Sequence, residues 1–231
     1  MERWAIYYAP AADTSLDVLG RRWLGRSAHD GRSQERPSVP GLTADKIAAV
    51  TAEPARYGFH ATLKPPFALV PSRRPEELRQ ALADFAAKRS AFEAPPLRLA
   101  ELGRFLALIP SAPCPALEEL AAESVRHFDG FRAPPSAAEL QRRRSRPLTP
   151  RQEALLEAWG YPYIMEEFRF HMTLTGPLQE EDRAALRESL DVLCAEATRQ
   201  PLLIDGLTLF RQPAADAPFV IETRFPFRPR D

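Results

Sequence analysis

Two four-residue segments, His60-Ala61-Thr62-Leu63 and His171-Met172-Thr173-Leu174, repeat the pattern H-x-T-L at positions 111 residues apart. Each is followed by residues that read as a helix and then two strands. The span from His60 to Leu106 is 46 residues, and that from His171 to Val220 is 49. Two copies of one β-α-β-β unit are too few for a solenoid, which needs three or more. Strands and helices mixed in this order predict an α+β or α/β fold with two sheets facing one another.

Alternation along the motifs gives the chemistry. Successive side chains of a strand point to opposite faces. Phe170, Met172 and Leu174 therefore share an apolar face, and Arg169, His171, Thr173 and Thr175 a polar one. In the first copy Phe59, Ala61 and Leu63 face the core, while His60, Thr62 and Lys64 share the opposite face. Each copy thus presents a histidine and a threonine on one polar surface. Cleaving a phosphodiester needs one group to remove a proton and a second to protonate the leaving oxygen. Imidazole, with an unperturbed pKa of about 6.5, can play either part near neutral pH. The threonine hydroxyls can donate to non-bridging phosphate oxygens. His60 and His171 are the expected catalytic pair, with Thr62 and Thr173 binding substrate.

The remaining candidates surround this pair. Lys64 counts onto the same face as Thr62 and there offers phosphate a point charge, unless Pro65 twists it away. Arg169 precedes His171 on the polar face; it suits bidentate phosphate binding or an ion pair with Glu166 or Glu167. Tyr7, Tyr8, Trp23, Tyr57 and Tyr163 can stack on a base or sugar, or fill core. The basic run Arg142-Arg143-Arg144-Ser145-Arg146 reads as a solvated face or a phosphate-binding lid. His29 and His127 read as surface groups.

Composition narrows the classes. Lysine plus arginine and aspartate plus glutamate both total 31, which argues against long nucleic acid as a partner and leaves a local basic cleft open. No apolar run reaches the roughly 18–20 residues of a membrane span, and the N-terminus lacks a signal peptide's character, so a cytoplasmic protein without a membrane partner is expected. Cys114 and Cys194 form no C-x-x-C pair, and no acidic cluster or H-x-H accompanies the motifs. No metal and no cofactor are therefore expected.

Element by element, a strand is expected over Trp4–Ala9 and helices over Thr14–Leu24, Thr43–Thr51, Pro75–Arg89 and Ala116–Phe128. Gly25–Gly41 and Asp129–Leu148 read as polar connections. Thr149-Pro150-Arg151-Gln152 opens a further helix with a capping box. A long helix over Glu180–Thr198 and strands over Leu97–Leu102, Phe105–Ile109, Leu202–Phe210 and Phe219–Arg224 complete the reading.

The doubled motif resembles that of the two-histidine phosphoesterase superfamily, which includes 2′,3′-cyclic nucleotide phosphodiesterases and RNA 2′,5′-ligase-like enzymes. Tyr57-Gly58-Phe59-His60-Ala61-Thr62-Leu63-Lys64-Pro65-Pro66-Phe67 and Glu166-Glu167-Phe168-Arg169-Phe170-His171-Met172-Thr173-Leu174-Thr175-Gly176 are similar to a bacterial branch associated with phosphonate-utilisation operons. The likeness extends to Ala5-Ile6-Tyr7-Tyr8-Ala9-Pro10 and Trp23-Leu24-Gly25. It implies a bilobal fold of pseudo-twofold symmetry with both motifs in a central cleft, roles for His60, Thr62, His171 and Thr173, and no metal. One domain is expected over residues 1–231, with lobes over about 43–110 and 160–225, the N-terminal strand against one lobe, and a helical insertion at 111–159. The expected activity is hydrolysis of a small cyclic phosphodiester or a phosphorylated sugar or nucleotide, in phosphonate metabolism. The rival readings are a non-catalytic module binding RNA ends or a nucleotide, and an RNA 2′,5′-ligase-like enzyme.

Overall fold

The computed structural model describes residues 1–229. The strands are β1 (Arg3–Tyr8), β2 (Ala61–Phe67), β3 (Phe92–Ala94), β4 (Leu97–Leu102), β5 (Phe105–Pro110), β6 (Met172–Thr173), β7 (Leu202–Ile204), β8 (Gly206–Gln212) and β9 (Val220–Pro226). The helices are α1 (Ser15–Leu24), α2 (Ala44–Ala55), α3 (Pro75–Ala86), α4 (Pro115–His127), α5 (Ala137–Arg143), α6 (Pro150–Trp159) and α7 (Glu180–Cys194).

The α+β class holds, and the described residues form two sheets. The larger has seven strands in the order β4-β5-β6-β2-β1-β8-β9, and the smaller pairs β3 with β7. Both motif strands lie in the larger sheet, side by side, instead of one in each of two facing sheets. They are joined by one antiparallel pair, Ala61 opposite Met172. These are corresponding positions, each directly after the motif histidine. β3 and β7, also corresponding strands, pair antiparallel through Glu93 opposite Leu203. The flanking hairpins differ, since β5 lies inside β4 on one side while β8 lies inside β9 on the other, with β1 inserted before it.

β1 is buried on both faces, which is why its sequence is a continuous apolar run instead of an alternating one. Trp4, Ile6 and Tyr8 join the main core with Trp23 and Leu24 of α1, Ile47 and Val50 of α2, Leu78 and Leu82 of α3, Leu120 of α4 and Leu186 and Leu190 of α7. Ala5, Tyr7 and Ala9 face a smaller cluster with Phe210, Phe219 and Ala28. Trp23 is an anchor and not a stacking platform: its indole Nε1 donates to the Leu174 carbonyl at 2.8 Å in the interior. Tyr8 is likewise a core residue, donating to the Leu203 carbonyl at 3.1 Å.

Three departures from the sequence reading have local causes. The run Leu202–Phe210 is cut at Asp205, so β7 pairs in the small sheet and β8 in the large one. The polar segment after Asp129 contains α5, capped by Ser136, whose hydroxyl accepts the Glu139 amide at 3.2 Å while Glu139 accepts the Ser136 amide at 2.9 Å. β6 is only two residues long because the Leu174 and Thr175 amides both turn to the Leu106 carbonyl, and the Thr175 hydroxyl accepts the Leu106 amide at 3.0 Å. Thr175 is thereby a buried structural group.

Lys64 is the clearest correction. Tyr7 opposes Thr62, but the next residue back, Ile6, opposes Lys64, so Leu63 is an extra residue in β2. A bulge of this kind breaks the period-two count. Ile6 and Tyr7 face opposite sides, and Lys64 therefore leaves the Thr62 face. It is 1% exposed, with its Nζ donating to the Val125 carbonyl at 3.2 Å and to Asp129 Oδ1 at 3.1 Å. Burial pushes its pKa down to about 8 against the opposing pull of Asp129. Lys64 ties β2 to the end of α4, where a cation also suits the helix dipole. Its ammonium is thus buried away from the Thr62 face to which the alternation had assigned it.

Asp129 also accepts from Arg132 at 2.8 Å. Asp129→Ala should therefore destabilise by about 2–3 kcal/mol, below the value for a fully buried pair because of partial exposure, whereas Lys64→Met should be near neutral. Denaturant titration reads both. A Lys64→Met protein of normal stability that loses substrate affinity tenfold or more would restore Lys64 to the site.

Candidate active site

Each histidine sits just before its strand and is held in the same way. His60 Nδ1 lies 2.9 Å from the Gly58 carbonyl oxygen, and His171 Nδ1 lies 2.7 Å from the Arg169 carbonyl oxygen. In both cases the partner is the carbonyl two residues back. A carbonyl only accepts, so Nδ1 carries the hydrogen in both rings. The neutral rings therefore present an unprotonated Nε2. That of His60 lies 3.2 Å from the Thr62 hydroxyl, which can donate to it.

Around His60 the walls are aromatic. Tyr7 stacks on its ring at 3.8 Å between centroids with an interplanar angle of 21°, Phe210 lies at 5.9 Å and Tyr57 at 6.3 Å. Tyr57 stacks in turn on Phe219 at 5.4 Å. Phe105 lies 5.9 Å from His171. Burial against these walls lowers the pKa of both imidazoles. That of His60 is pushed down to about 4, with the neighbouring His171 charge adding to the desolvation and the Gly58 carbonyl opposing it. His171 is lowered by burial, with the Arg169 carbonyl opposing. Both rings are therefore neutral at pH 7 in the unliganded protein.

Gly58 is where the latch is built. Its φ is +82°, a region that L side chains rarely adopt, and an added Cβ would come within 2.6 Å of the Ala28 Cβ. The loop from Gly25 to Gly41 thus closes on the residue that orients His60, and His29 Nε2 pins that loop to Asp17 Oδ1 at 3.1 Å.

The other sequence candidates divide. Tyr7, Tyr57, Thr62 and Thr173 gather at the two histidines: Thr62 opposes Tyr7 across the β1–β2 ladder, and Thr173 follows its histidine by two and opposes Ala107. The Thr173 hydroxyl has no protein partner among the described residues. Arg169 is exposed and pairs with neither glutamate: Arg151 engages Glu166, and Gln152 Nε2 donates to Glu167 at 2.9 Å. Arg169 lines a cavity of about 330 Å³ with Pro110, Cys114 and Phe168, and its carbonyl holds His171. Tyr163 is 45% exposed and meets Tyr161 edge to face at 5.7 Å. Sequence reading missed Gly58, Phe105, Phe210 and Phe219. Only Gly58, within Tyr57-Gly58-Phe59-His60, carried a local signal.

No group of three or more His, Cys, Asp or Glu able to hold a metal ion occurs among the described residues, and no described helix is long and apolar enough to cross a membrane.

Residues 62–220 match the family DUF1045, described as a protein of unknown function, and the chain belongs to that family. Its two motif imidazoles are latched alike on adjoining strands, in a doubled motif that resembles that of the two-histidine phosphoesterases. Over 231 residues the chain is 38% identical to a protein of Janthinobacterium sp. (strain Marseille) named Ribose 1,5-bisphosphate phosphokinase PhnN, covering 98% of this chain and 51% of that protein. A protein of the same name from Laribacter hongkongensis (strain HLHK9) is 35% identical over 218 residues, 94% of this chain and 50% of that one. The chain spans about half the length of these curated relatives. The crystal structure of E.coli LigT complexed with 3′-AMP aligns over 98% of both chains with 13% identity and a TM-score of 0.41, too weak a likeness to argue from.

Gly58→Ala should move the carbonyl that holds His60 and lower kcat/KM by about 10²-fold, the usual result of misplacing a reacting group by 1 Å. Ala28→Gly in the same chain should recover part of the loss by removing the clash, though not the positive-φ strain. Steady-state kinetics on the two variants checks this, and an unimpaired Gly58→Ala enzyme would show that the latch does not orient His60.

Proposed function

We propose that this chain is a metal-independent phosphodiesterase in which His60 and His171 act as general base and general acid on a small cyclic phosphodiester of a phosphorylated sugar or nucleotide. The observation that carries the reading is the shared latch: two imidazoles, at corresponding positions of paired strands, hold the same tautomer and turn Nε2 away from the backbone. A structural histidine has no need of a matched partner. The lobes at 43–110 and 160–225 are read as duplicated units, supported by the pairing of Ala61 with Met172 and of β3 with β7.

The lower pKa makes His60 the base. Its neutral Nε2 takes a proton from water as the water oxygen bonds to phosphorus. The ester bond to the leaving oxygen breaks on the opposite side, and His171, protonated at Nε2, gives that oxygen its proton. The ring opens to a phosphomonoester, and a proton passing from His60 back to His171 resets the pair. Thr62 and Thr173 would hold non-bridging oxygens. The substrate's negative charge raises both imidazole pKa values, so binding itself helps to protonate His171.

The relatives' name specifies a phosphorylated ribose, which supports a sugar phosphate as the substrate class. Their name also specifies a kinase. This chain contains no G-x-x-x-x-G-K-[ST] segment to cradle nucleotide phosphates. We therefore assign the kinase activity to the half of those proteins outside the match.

Activity requires neutral His60 and protonated His171. The kcat/KM profile should therefore be a bell whose acid limb lies near 4 and whose alkaline limb lies below the ordinary imidazole value of 6.5. The kcat profile, reporting the bound state, should be displaced to higher pH. A kcat/KM profile flat from pH 4 to 8 would contradict the assignment.

With 2′,3′-cyclic AMP as probe, His60→Ala and His171→Ala should each lose about 10²–10⁴-fold in kcat, and the double variant less than the product. Thr62→Val and Thr173→Val should lose less. Activity should survive EDTA. A folded single-histidine variant with near wild-type turnover, or activity lost to EDTA and restored by a divalent ion, would refute the mechanism.

A further inference from the structure

The two imidazoles are latched alike but walled differently. Tyr7 lies face to face with His60, with ring centroids 3.8 Å apart and planes 21° from parallel, whereas the ring beside His171, that of Phe105, is tilted by 49° at 5.9 Å. Tyr7 stands on β1 between Thr62 of β2 and Thr208 of β8, each directly opposite it across a ladder. Phe210 packs against its ring at 4.9 Å between centroids and Phe219 at 6.3 Å. At 1% exposure the ring offers a base or sugar no open face. Its stacking partner is the histidine itself.

A general base becomes a cation as it works. When His60 Nε2 takes a proton, the imidazole gains a positive charge in an interior that disfavours it. Catalytic histidines are commonly supported at this point by a carboxylate on the other ring nitrogen. Among the described residues the histidine with a carboxylate partner is His29, on Asp17, and neither motif histidine has one. The titratable groups that face His60 are Tyr7 of β1, Tyr57 beside the latch and His171 next to β6, and none is a carboxylate. The face of an aromatic ring is the negative pole of its quadrupole, and it attracts a cation within about 6 Å of the ring centre, more strongly out of water. Tyr7 presents that face to His60.

We infer, on the reading of His60 as general base, that Tyr7 is a positioning residue whose ring clamps the His60 imidazole and supports the positive charge that imidazole gains on taking a proton. The attraction is weak for the neutral imidazole and grows with the charge. It therefore favours the transition state over the ground state, which is the condition for raising kcat. The stack also matches the division of roles, since it stands over the histidine that gains charge and not over His171, which gives its proton away. The support comes from the ring and not from the phenol hydroxyl, so phenylalanine should serve at this position.

The test places phenylalanine and then its mono-, tri- and pentafluorinated forms at Tyr7 of the full chain, which keeps the ring's shape while draining negative charge from its face. With 2′,3′-cyclic AMP as probe, Tyr7→Phe should keep kcat within about threefold, and the pentafluorinated chain should fall about 30-fold below it with little change in KM, the size of a desolvated cation–π contact. The acid limb of kcat/KM should move to lower pH along the series, because a less supported imidazolium gives up its proton more readily. Nitrogen NMR should show His60 titrating progressively lower and His171 nearly unmoved. The same series at Phe210, tilted by 46° to His60 at 5.9 Å, controls for core packing and should change kcat by less than about threefold. A His60 titration unchanged along the Tyr7 series, or equal losses at Tyr7 and Phe210, would overturn the inference. His60 titrating lower along the series in a chain that hydrolyses no 2′,3′-cyclic AMP would instead uphold the stacked support and refute the hydrolytic reading.

Discussion

The bridge between Ala61 and Met172 decides the geometry of everything else. β4, β5 and β6 are joined to β2, β1, β8 and β9 through that one antiparallel pair, and both residues are fully buried. Because each follows its histidine directly, their pairing puts the two imidazoles on neighbouring strands with the same relation to the backbone. The bridge is short and is reinforced from outside the ladder. Trp23 holds the Leu174 carbonyl, and the Gly176 amide donates to the Val50 carbonyl at 2.7 Å. Helices α1 and α2 therefore fix β6 as much as its sheet neighbours do.

Burial then sets the electrostatics. Aromatic walls strip water from both rings and favour the neutral forms. In the proposed mechanism an anionic substrate would supply the field that protonates one of the two imidazoles. The carbonyl latches keep Nε2 as the titrating nitrogen throughout, since Nδ1–H is already committed.

Much of this was legible in local pattern. Alternation over Phe170-His171-Met172-Thr173-Leu174 separated core from cleft before any partner strand was known, and burial follows it through Leu174. The helix starts at Thr14, Thr43, Pro75 and Thr149 and the strand Leu97–Leu102 were written in capping residues, proline and β-branched or apolar runs. What failed depended on non-local pairing. Lys64 was misplaced because the bulge at Leu63 exists only in register with Ile6 and Tyr7. The sheet boundary at Asp205 and the union of both motifs in one sheet are likewise properties of partners. Arg169 was singled out for its guanidinium, whereas the contact it makes with His171 is through its carbonyl, which no side-chain pattern reveals. Arg143 stood in a basic run that reads as solvated surface until α5 folds it over Tyr161.

The most direct test of the paired latch is nitrogen NMR of the two imidazoles in the unliganded protein, followed through a pH titration and then with inorganic phosphate added. The expected result is that both His60 and His171 carry hydrogen on Nδ1 at pH 7, that both titrate below 6.5 with His60 the lower, and that phosphate raises both values. Different tautomers in the two rings, or one histidine titrating above 6.5 without response to phosphate, would show that the two do not form one reacting pair.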